Sequence, residues 1–398
     1  MAVSFLVARN ATARPSRPRF IASIFAATWE GAGHERARRI VRRPDARGTL
    51  TPVQRVVRFL PVQAALLLSL PAEAQESTAA PAPDVDTTTV GGLLRGRGFV
   101  PDPQLKLLVG VVVDGPGAPV RWYDLGGTSS ERETWWPAST VKLFAAAAAL
   151  ERSRALGFTP EALVTYHYED ARVRMPLSRI VQRAITHSDN RAFDRLVELV
   201  GFDDLNGRFF GAHNGLPRTV MLRAYSGRVI DPQTERGSNR HSPRITLAEA
   251  GRRHTVPERQ GTGRFECPDQ GNCTTLRDLG EAMRRVMMHE RLPETGRFDL
   301  GETELTLLRA ALLADRARGQ ELVEAVREAF AQAPLRVYHK PGYANRWVSD
   351  VMLVHREGSG QRWIVAAAAF PGRDALEEPL RHVGALLAAG RLPGPAQR

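Results

Sequence analysis

Apolar and polar positions change their rhythm twice along the chain. The runs LKLLVGVVVDG (105–115) and APVRWYDLG (118–126) are strand-like and are parted by a Gly-Pro-Gly turn, which predicts a hairpin. From residue 140 to about 333 the spacing is helical. Helices are expected over 140–156, an alanine-rich run of strong formers, and over 176–186, 191–201, 276–292 and 302–315. The stretch 225–271 is polar, rich in Arg, Gly, Ser and Pro, and reads as long loops. Strand patterns return at 335–340, 346–355 and 361–370, and a helix over 376–390 closes the chain. Regular β-α alternation is missing, which argues against a doubly wound sheet. The pattern predicts an α+β fold. One antiparallel sheet of about five strands is built from both chain ends, with flanking helices and an inserted all-helical region. The domain covers 101–392, with a sheet part (101–138 and 333–392) and a helical part (139–332). A cleft is expected where the two meet.

The first hundred residues follow other rules. Residues 75–100 are rich in Ala, Pro and Thr and read as a linker, with a short helix near Val90 to Leu94. Residues 53–74 have the layout of a signal peptide: Arg55 and Arg58, an apolar run from Leu60 to Leu70, and Ala72-Glu73-Ala74 as a cleavage signal. A signal peptide belongs at a chain start. Residues 1–52 are therefore expected to be a non-native or disordered extension, with the true start near Val53 or Val56. The competing reading is a disordered basic region followed by a buried helix. With the signal peptide, the mature protein is exported, periplasmic or secreted. No apolar run reaches the roughly 18 residues of a membrane span, so none is expected in the mature protein.

Charge sharpens this division. Of the formal net charge of +12, residues 1–58 carry +9, from twelve Arg against Glu30, Glu35 and Asp45. The remaining +3 gives no reason to expect a nucleic-acid partner. Lysine is scarce: of 55 Lys and Arg, only Lys106, Lys142 and Lys340 are Lys. Arg stays charged in a protein, whereas a buried Lys can give up its proton. A lysine kept in such a chain is a candidate for chemistry. Cys267 and Cys273 bracket the turn-prone PDQGN and are expected to form a local disulfide. Two thiols without a nearby His cluster do not complete a tetrahedral metal site, so no metal is expected.

Three short motifs remain. Ser139-Thr140-Val141-Lys142 stands where the loop WWPA enters the alanine-rich helix. Residues three apart share a helix face, so the hydroxyl and the amine can meet, and the helix N-terminus favours a developing oxyanion. Taken alone, the pair is equally an N-cap Ser and a surface Lys. Ser188-Asp189-Asn190 lies between two expected helices, and alone it reads as a capping cluster. Lys340-Pro341-Gly342 ends an expected strand, and alone it reads as a turn.

Together and in this order the motifs resemble those of the class A β-lactamases and their penicillin-binding relatives, with PASTVKL and ITHSDN fitting closely and TTLRDLGEAMRRV (274–286) resembling the Thr-rich start of a later helix. The resemblance covers about 103–390. It implies a serine hydrolase in which Ser139 is acylated and Lys142 takes its proton. Ser188, assisted by Lys340, would pass a proton to the leaving nitrogen. Asn190 would hold the substrate amide, and the backbone N–H groups of Ser139 and of Tyr343, next to Gly342, would form the oxyanion hole. The substrate would be a small molecule, a β-lactam or a peptidoglycan-like peptide. No cofactor is implied, and the protein is expected to act as a monomer.

Two departures matter. The family's third motif has Thr or Ser in the middle, whose hydroxyl helps to bind the substrate carboxylate. Pro341 has neither hydroxyl nor N–H. Asn345 and Arg346 are candidates to compensate. The family also places a Glu, with an Asn four residues on, to activate the deacylating water. Glu235 and Asn239 keep that spacing, but Ser238 stands where Leu is usual and the loop is longer. Without a working Glu235 the chain would act as a slowly deacylating peptidase or esterase. Without turnover it would be a cell-wall-binding module.

Overall fold

The computed structural model of the protein describes residues 85–126, 129–226, 230–231, 236–267, 271–331, 333–344, 346–372 and 374–394. The expectations for 1–52 and 53–74, and those for Glu235 and Asn345, lie outside the described residues. A short strand β1 (Val85–Asp86) and helix α1 (Thr89–Gly96) come first, followed by the hairpin β2 (Lys106–Val112) and β3 (Val120–Asp124). A 3-10 turn, Ala138–Val141, leads into α2 (Lys142–Ala155). Next come β4 (Leu163–His167), β5 (Arg172–Pro176), α3 (Leu177–Ile185), α4 (Asn190–Val200), β6 (Arg244–Glu249) and β7 (Arg252–Val256). Helices α5 (Leu276–Met287), α6 (Glu302–Leu312) and α7 (Gln320–Arg327) follow. The chain returns as β8 (Leu335–Ala344), β9 (Trp347–Arg356) and β10 (Arg362–Ala369) and ends in α8 (Glu377–Ala388).

The main sheet has the order β1-β3-β2-β10-β9-β8. Both chain ends build it, because β2 pairs antiparallel with β10 from Lys106↔Ala368 to Val112↔Arg362. The sheet separates two cores, since side chains alternate across it. Leu108, Val351, Leu353, Ile364 and Ala366 pack into the core that holds α2. Leu107, Val109, Met352, Val354 and Val365 pack with Leu94, Leu322, Val326, Val383 and Leu387 from α1, α7 and α8. Both faces are covered, which is why β2, β9 and β10 read as nearly unbroken apolar runs. Helix α2 is buried from Lys142 through Glu151. A helix that is apolar all round is one enclosed on every side, and here the small alanines let neighbours close in.

Four expectations need correction. The sheet has six strands, not about five, and β1 joins it parallel to β3 through Val85↔Trp122 and Asp86↔Tyr123. The expected linker is, from residue 85 on, part of the fold: Val90 and Leu94, one helical turn apart, are fully buried. The inserted region is not all-helical, because it holds a second, four-stranded sheet in the order β7-β6-β4-β5. Two of those strands fall in the expected long loops. In RITLAE, Ile245 and Leu247 are fully buried with Thr246 between them and Arg244 is exposed, a short buried run hidden by a polar composition. Ala250 and Gly251, with φ of 46° and 78°, make the tight turn between β6 and β7. Finally, α2 starts at Lys142, two residues later than expected, because the 3-10 turn precedes it. Cys267 and Cys273 are joined in a disulfide. Among the described residues, no helix is long and apolar enough to cross a membrane.

Candidate active site

Ser139 sits inside the 3-10 turn, half-buried, with Lys142 fully buried at the first position of α2. Ala138 before it takes a left-handed backbone, φ 48°, unusual for a residue with a Cβ. The turn is held by its neighbours. Thr140 donates to the Pro137 carbonyl from its N–H (3.1 Å) and its hydroxyl (2.6 Å), and the Tyr225 hydroxyl donates to the Ala138 carbonyl at 2.5 Å.

Edge strand β8 lies against this turn. A Cβ on Gly342 would come within 2.7 Å of the Pro137 carbonyl oxygen and 2.9 Å of the Ser139 nitrogen. Only glycine lets the strand approach so closely. Pro341 has no N–H to give, and an edge strand is where a sheet tolerates proline.

The loop between α3 and α4 supplies the third side. Asp189 caps α4, accepting from the N–H groups of Arg191 (2.9 Å) and Ala192 (3.1 Å), and it pairs with Arg183 at 2.5 Å. Ser188 has φ 54°. Its hydroxyl is reached by two ammonium groups, Lys142 Nζ at 3.2 Å and Lys340 Nζ at 3.1 Å. Lys142 also donates to the Ser188 carbonyl (2.5 Å) and to Asn190 Oδ1 (2.7 Å), and Lys340 to the Pro341 carbonyl (2.9 Å). In Ser188-Asp189-Asn190 the middle residue is thus the cap, while its two neighbours face the lysines. The spacing of Ser139 and Lys142 brings both to the entry of α2, but Lys142 gives its hydrogen bonds to the Ser188–Asn190 loop rather than to Ser139.

Burial dominates the electrostatics. It pushes the Lys142 ammonium down to about 7, with Asp189 and Asp194 pulling it back up and Arg318 pushing it further down. Lys340, also fully buried, is driven well below its ordinary value by burial and then by the charge of Lys142, against the pull of Asp350. An amine that gives up its proton near pH 7 thus stands at the foot of the helix that follows the Ser139 turn.

Three further residues belong to the site and carry no motif. Tyr225 lays its ring 5.6 Å from Lys142 Nζ and stacks on Phe193 at 4.6 Å. Buried Asp194 on α4 accepts from the N–H groups of Tyr225 and Ser226, both at 2.7 Å, and from the Ser226 hydroxyl. Exposed Arg318, just before α7, is near enough to influence both lysines. The helical patterning of α4 could have flagged Asp194, an acidic residue on its apolar face. Nothing in the sequence marks Tyr225 or Arg318.

The remaining expected residues are placed as follows. Tyr343 follows Gly342 on β8 and its hydroxyl donates to Glu321 at 2.6 Å. Arg346 stacks over Phe370 at 5.2 Å, so Arg318, not Arg346, is the arginine whose charge reaches the lysines. Asn239 is buried, and its amide donates to the Arg223 carbonyl at 2.9 Å.

Residues 128–378 match the family model described as the beta-lactamase enzyme family. No curated protein sequence matches the chain. Among solved structures, a mutant of PBP-A in acyl-enzyme complex with penicillin G is similar at TM-score 0.50 and 19% identity, over 78% of this chain and 99% of that one. The TLA-3 extended-spectrum beta-lactamase is similar at TM-score 0.50 and 13% identity, over 76% and 99%. A beta lactamase from Burkholderia vietnamiensis has TM-score 0.48 and 16% identity, over 79% and 98%. At these identities the likeness is one of fold.

Proposed function

The chain belongs to the beta-lactamase enzyme family, a serine hydrolase, and from that premise we propose that Ser139 opens β-lactam rings through an acyl-enzyme. The observation that carries this reading is the convergence of Lys142 and Lys340 on the Ser188 hydroxyl beside the Ser139 turn. Neutral Lys142 takes the Ser139 proton as Oγ bonds to the lactam carbonyl carbon. The resulting oxyanion accepts from the N–H groups of Ser139 and Tyr343, a role supported by the close approach of Gly342 to the Ser139 nitrogen. As the C–N bond breaks, the Ser188 hydroxyl hands its proton to the nitrogen and is resupplied from the lysine pair. Asn190 spends Oδ1 on Lys142, which leaves its NH2 for the substrate's amide carbonyl. Lys340 and Arg318 attract the substrate carboxylate, in place of the hydroxyl that Pro341 lacks. Glu235 activates the water that releases the product. All these groups come from one chain, so the reading needs no second subunit. It includes export through the 53–74 leader, which the Cys267–Cys273 disulfide supports, since such bonds persist in oxidising compartments.

A second reading, a penicillin-binding peptidase or esterase with slow deacylation, is favoured by one observation. The residue packed against Lys142 from the 222–226 loop is Tyr225, and the nearby Asp194 carboxylate is occupied by backbone and Ser226 donors. Incubation with a chromogenic cephalosporin followed by intact-mass measurement separates the two. Rapid turnover that Ser139→Ala abolishes supports β-lactam hydrolysis. A lasting adduct on Ser139 supports the second reading. Neither turnover nor adduct would refute both. Unchanged turnover in Glu235→Gln would remove Glu235 from the mechanism.

A further inference from the structure

We propose that Tyr225 is a positioning residue of the acylation step: its ring closes the loop side of Lys142, and its hydroxyl fixes the Ala138 carbonyl so that the turn carrying Ser139 is held beside its base. This rests on the acyl-enzyme reading above. Tyr225 touches Lys142 and the residue just before Ser139. The hydroxyl is 2.5 Å from the carbonyl of the left-handed residue that precedes the nucleophile, and the ring centroid is 5.6 Å from Lys142 Nζ. A left-handed non-glycine residue persists only where its surroundings hold it, and this hydrogen bond is one such hold. The phenol is itself fixed. Phe193 stacks on the ring, and Asp194 accepts from the Tyr225 N–H. The loop that presents it is thereby tied to α4, the helix that Asn190 begins.

The charged groups around Lys142 are Asp189 at the cap of α4, Asp194 on α4, Lys340 on β8 and Arg318 before α7. The Ser188 and Asn190 oxygens complete its shell. Against this set Tyr225 adds an uncharged wall. Its ring face attracts the cation weakly, yet it also keeps water away, and burial is the larger influence on Lys142. Removing the ring should therefore admit water and make Lys142 easier to protonate. Removing only the hydroxyl should leave Lys142 as it is and loosen the Ser139 turn.

Two substitutions test this in the full-length protein. With three lysines in the chain, ε-13C-lysine labelling lets Lys142 be titrated directly by NMR, with Lys106, paired with Glu133, as a reference. Acylation by a fluorescent penicillin is followed over the same pH range. In Tyr225→Leu the Lys142 titration should move up by about one pH unit or more, and the rising limb of the acylation profile with it. In Tyr225→Phe the titration should stay in place while acylation slows about fivefold to tenfold at every pH. An unchanged Lys142 titration in Tyr225→Leu, or native acylation in Tyr225→Phe, would overturn the proposal. If the native protein forms no adduct at any pH, the acyl-enzyme reading fails, and the Lys142 titration alone decides the role of Tyr225.

Discussion

The cleft around Ser139 has two unlike walls. One is made of regular elements: the foot of α2, the edge strand β8 and the capped start of α4. The other is the loop wall, residues 222–226 and 236–239, held by side-chain amides and one carboxylate. Asn272 accepts from the Arg223 N–H at 2.8 Å, Asn239 and Asn272 both donate to the Arg223 carbonyl, and Asp194 holds Tyr225 and Ser226. The first wall holds the lysines and the hydroxyls. The second supplies packing and water exclusion. Groups that must stay in register within a fraction of an ångström stand on elements whose backbone bonds fix them, while the wall that shapes access is tied by side chains.

The contrast can be tested from its strongest point downward. Gly342→Ala should strike the first wall hardest, because the new Cβ collides with the Pro137 carbonyl and the Ser139 nitrogen. Displacing β8 by about 1 Å should lower the rate of Ser139 acylation about a hundredfold, as read by adduct formation. Asp194→Ala should do the same for the loop wall by leaving buried donors of Tyr225 and Ser226 unanswered. A loss of about 2 kcal/mol in urea unfolding is expected, with faster proteolysis confined to residues 222–226. Cleavage spread over the whole chain would show that the two walls are not separate. Asp189→Ala removes the cap of α4 and the partner of Arg183, and should cost about 1 kcal/mol in the same assay.

A separate test, of the first wall alone, is a dependence on pH. The folded-state pKa of Lys142 is lowered to about 7, while the unfolded chain keeps its proton to about pH 10. Below pH 7 both states are protonated and the cost of burying the cation is fully present. Between about 7 and 10 the unfolded state binds more protons, so stability rises with pH. Lys142→Met should therefore unfold at higher urea than the native protein at pH 6, and the gap should narrow by pH 9. A gap that widens with pH would mean that Lys142 is buried as a stabilised cation.

The first wall was legible in the sequence and the second was not. Ser139 and Lys142 stand at helix spacing, Asp189 is a capping residue, and Lys340 stands out because the chain otherwise writes Arg. Those signals come from backbone geometry and composition, which a sequence displays directly. Tyr225 and Arg318 act through where a loop lands, and nothing local sets that. Strands β6 and β7 were missed because their inward positions, Ile245, Leu247 and Val256, are few among arginines and hydroxyls. Val90 and Leu94 were seen as a helix but not as a buried one, because a flanking Pro-rich and Thr-rich composition outweighed their spacing.

The pairing of β2 with β10 has one more consequence, for the order of assembly. Lys106 and Ala368 face each other across the middle of the sheet, so an early strand and the last one must meet before either is covered. Contacts so remote in sequence form slowly and leave strand edges open meanwhile. A chain still emerging from the ribosome cannot complete this sheet. A chain cut before Arg362 would keep Ser139, both lysines and the Ser188 loop, and would have no framework on which to bring them together.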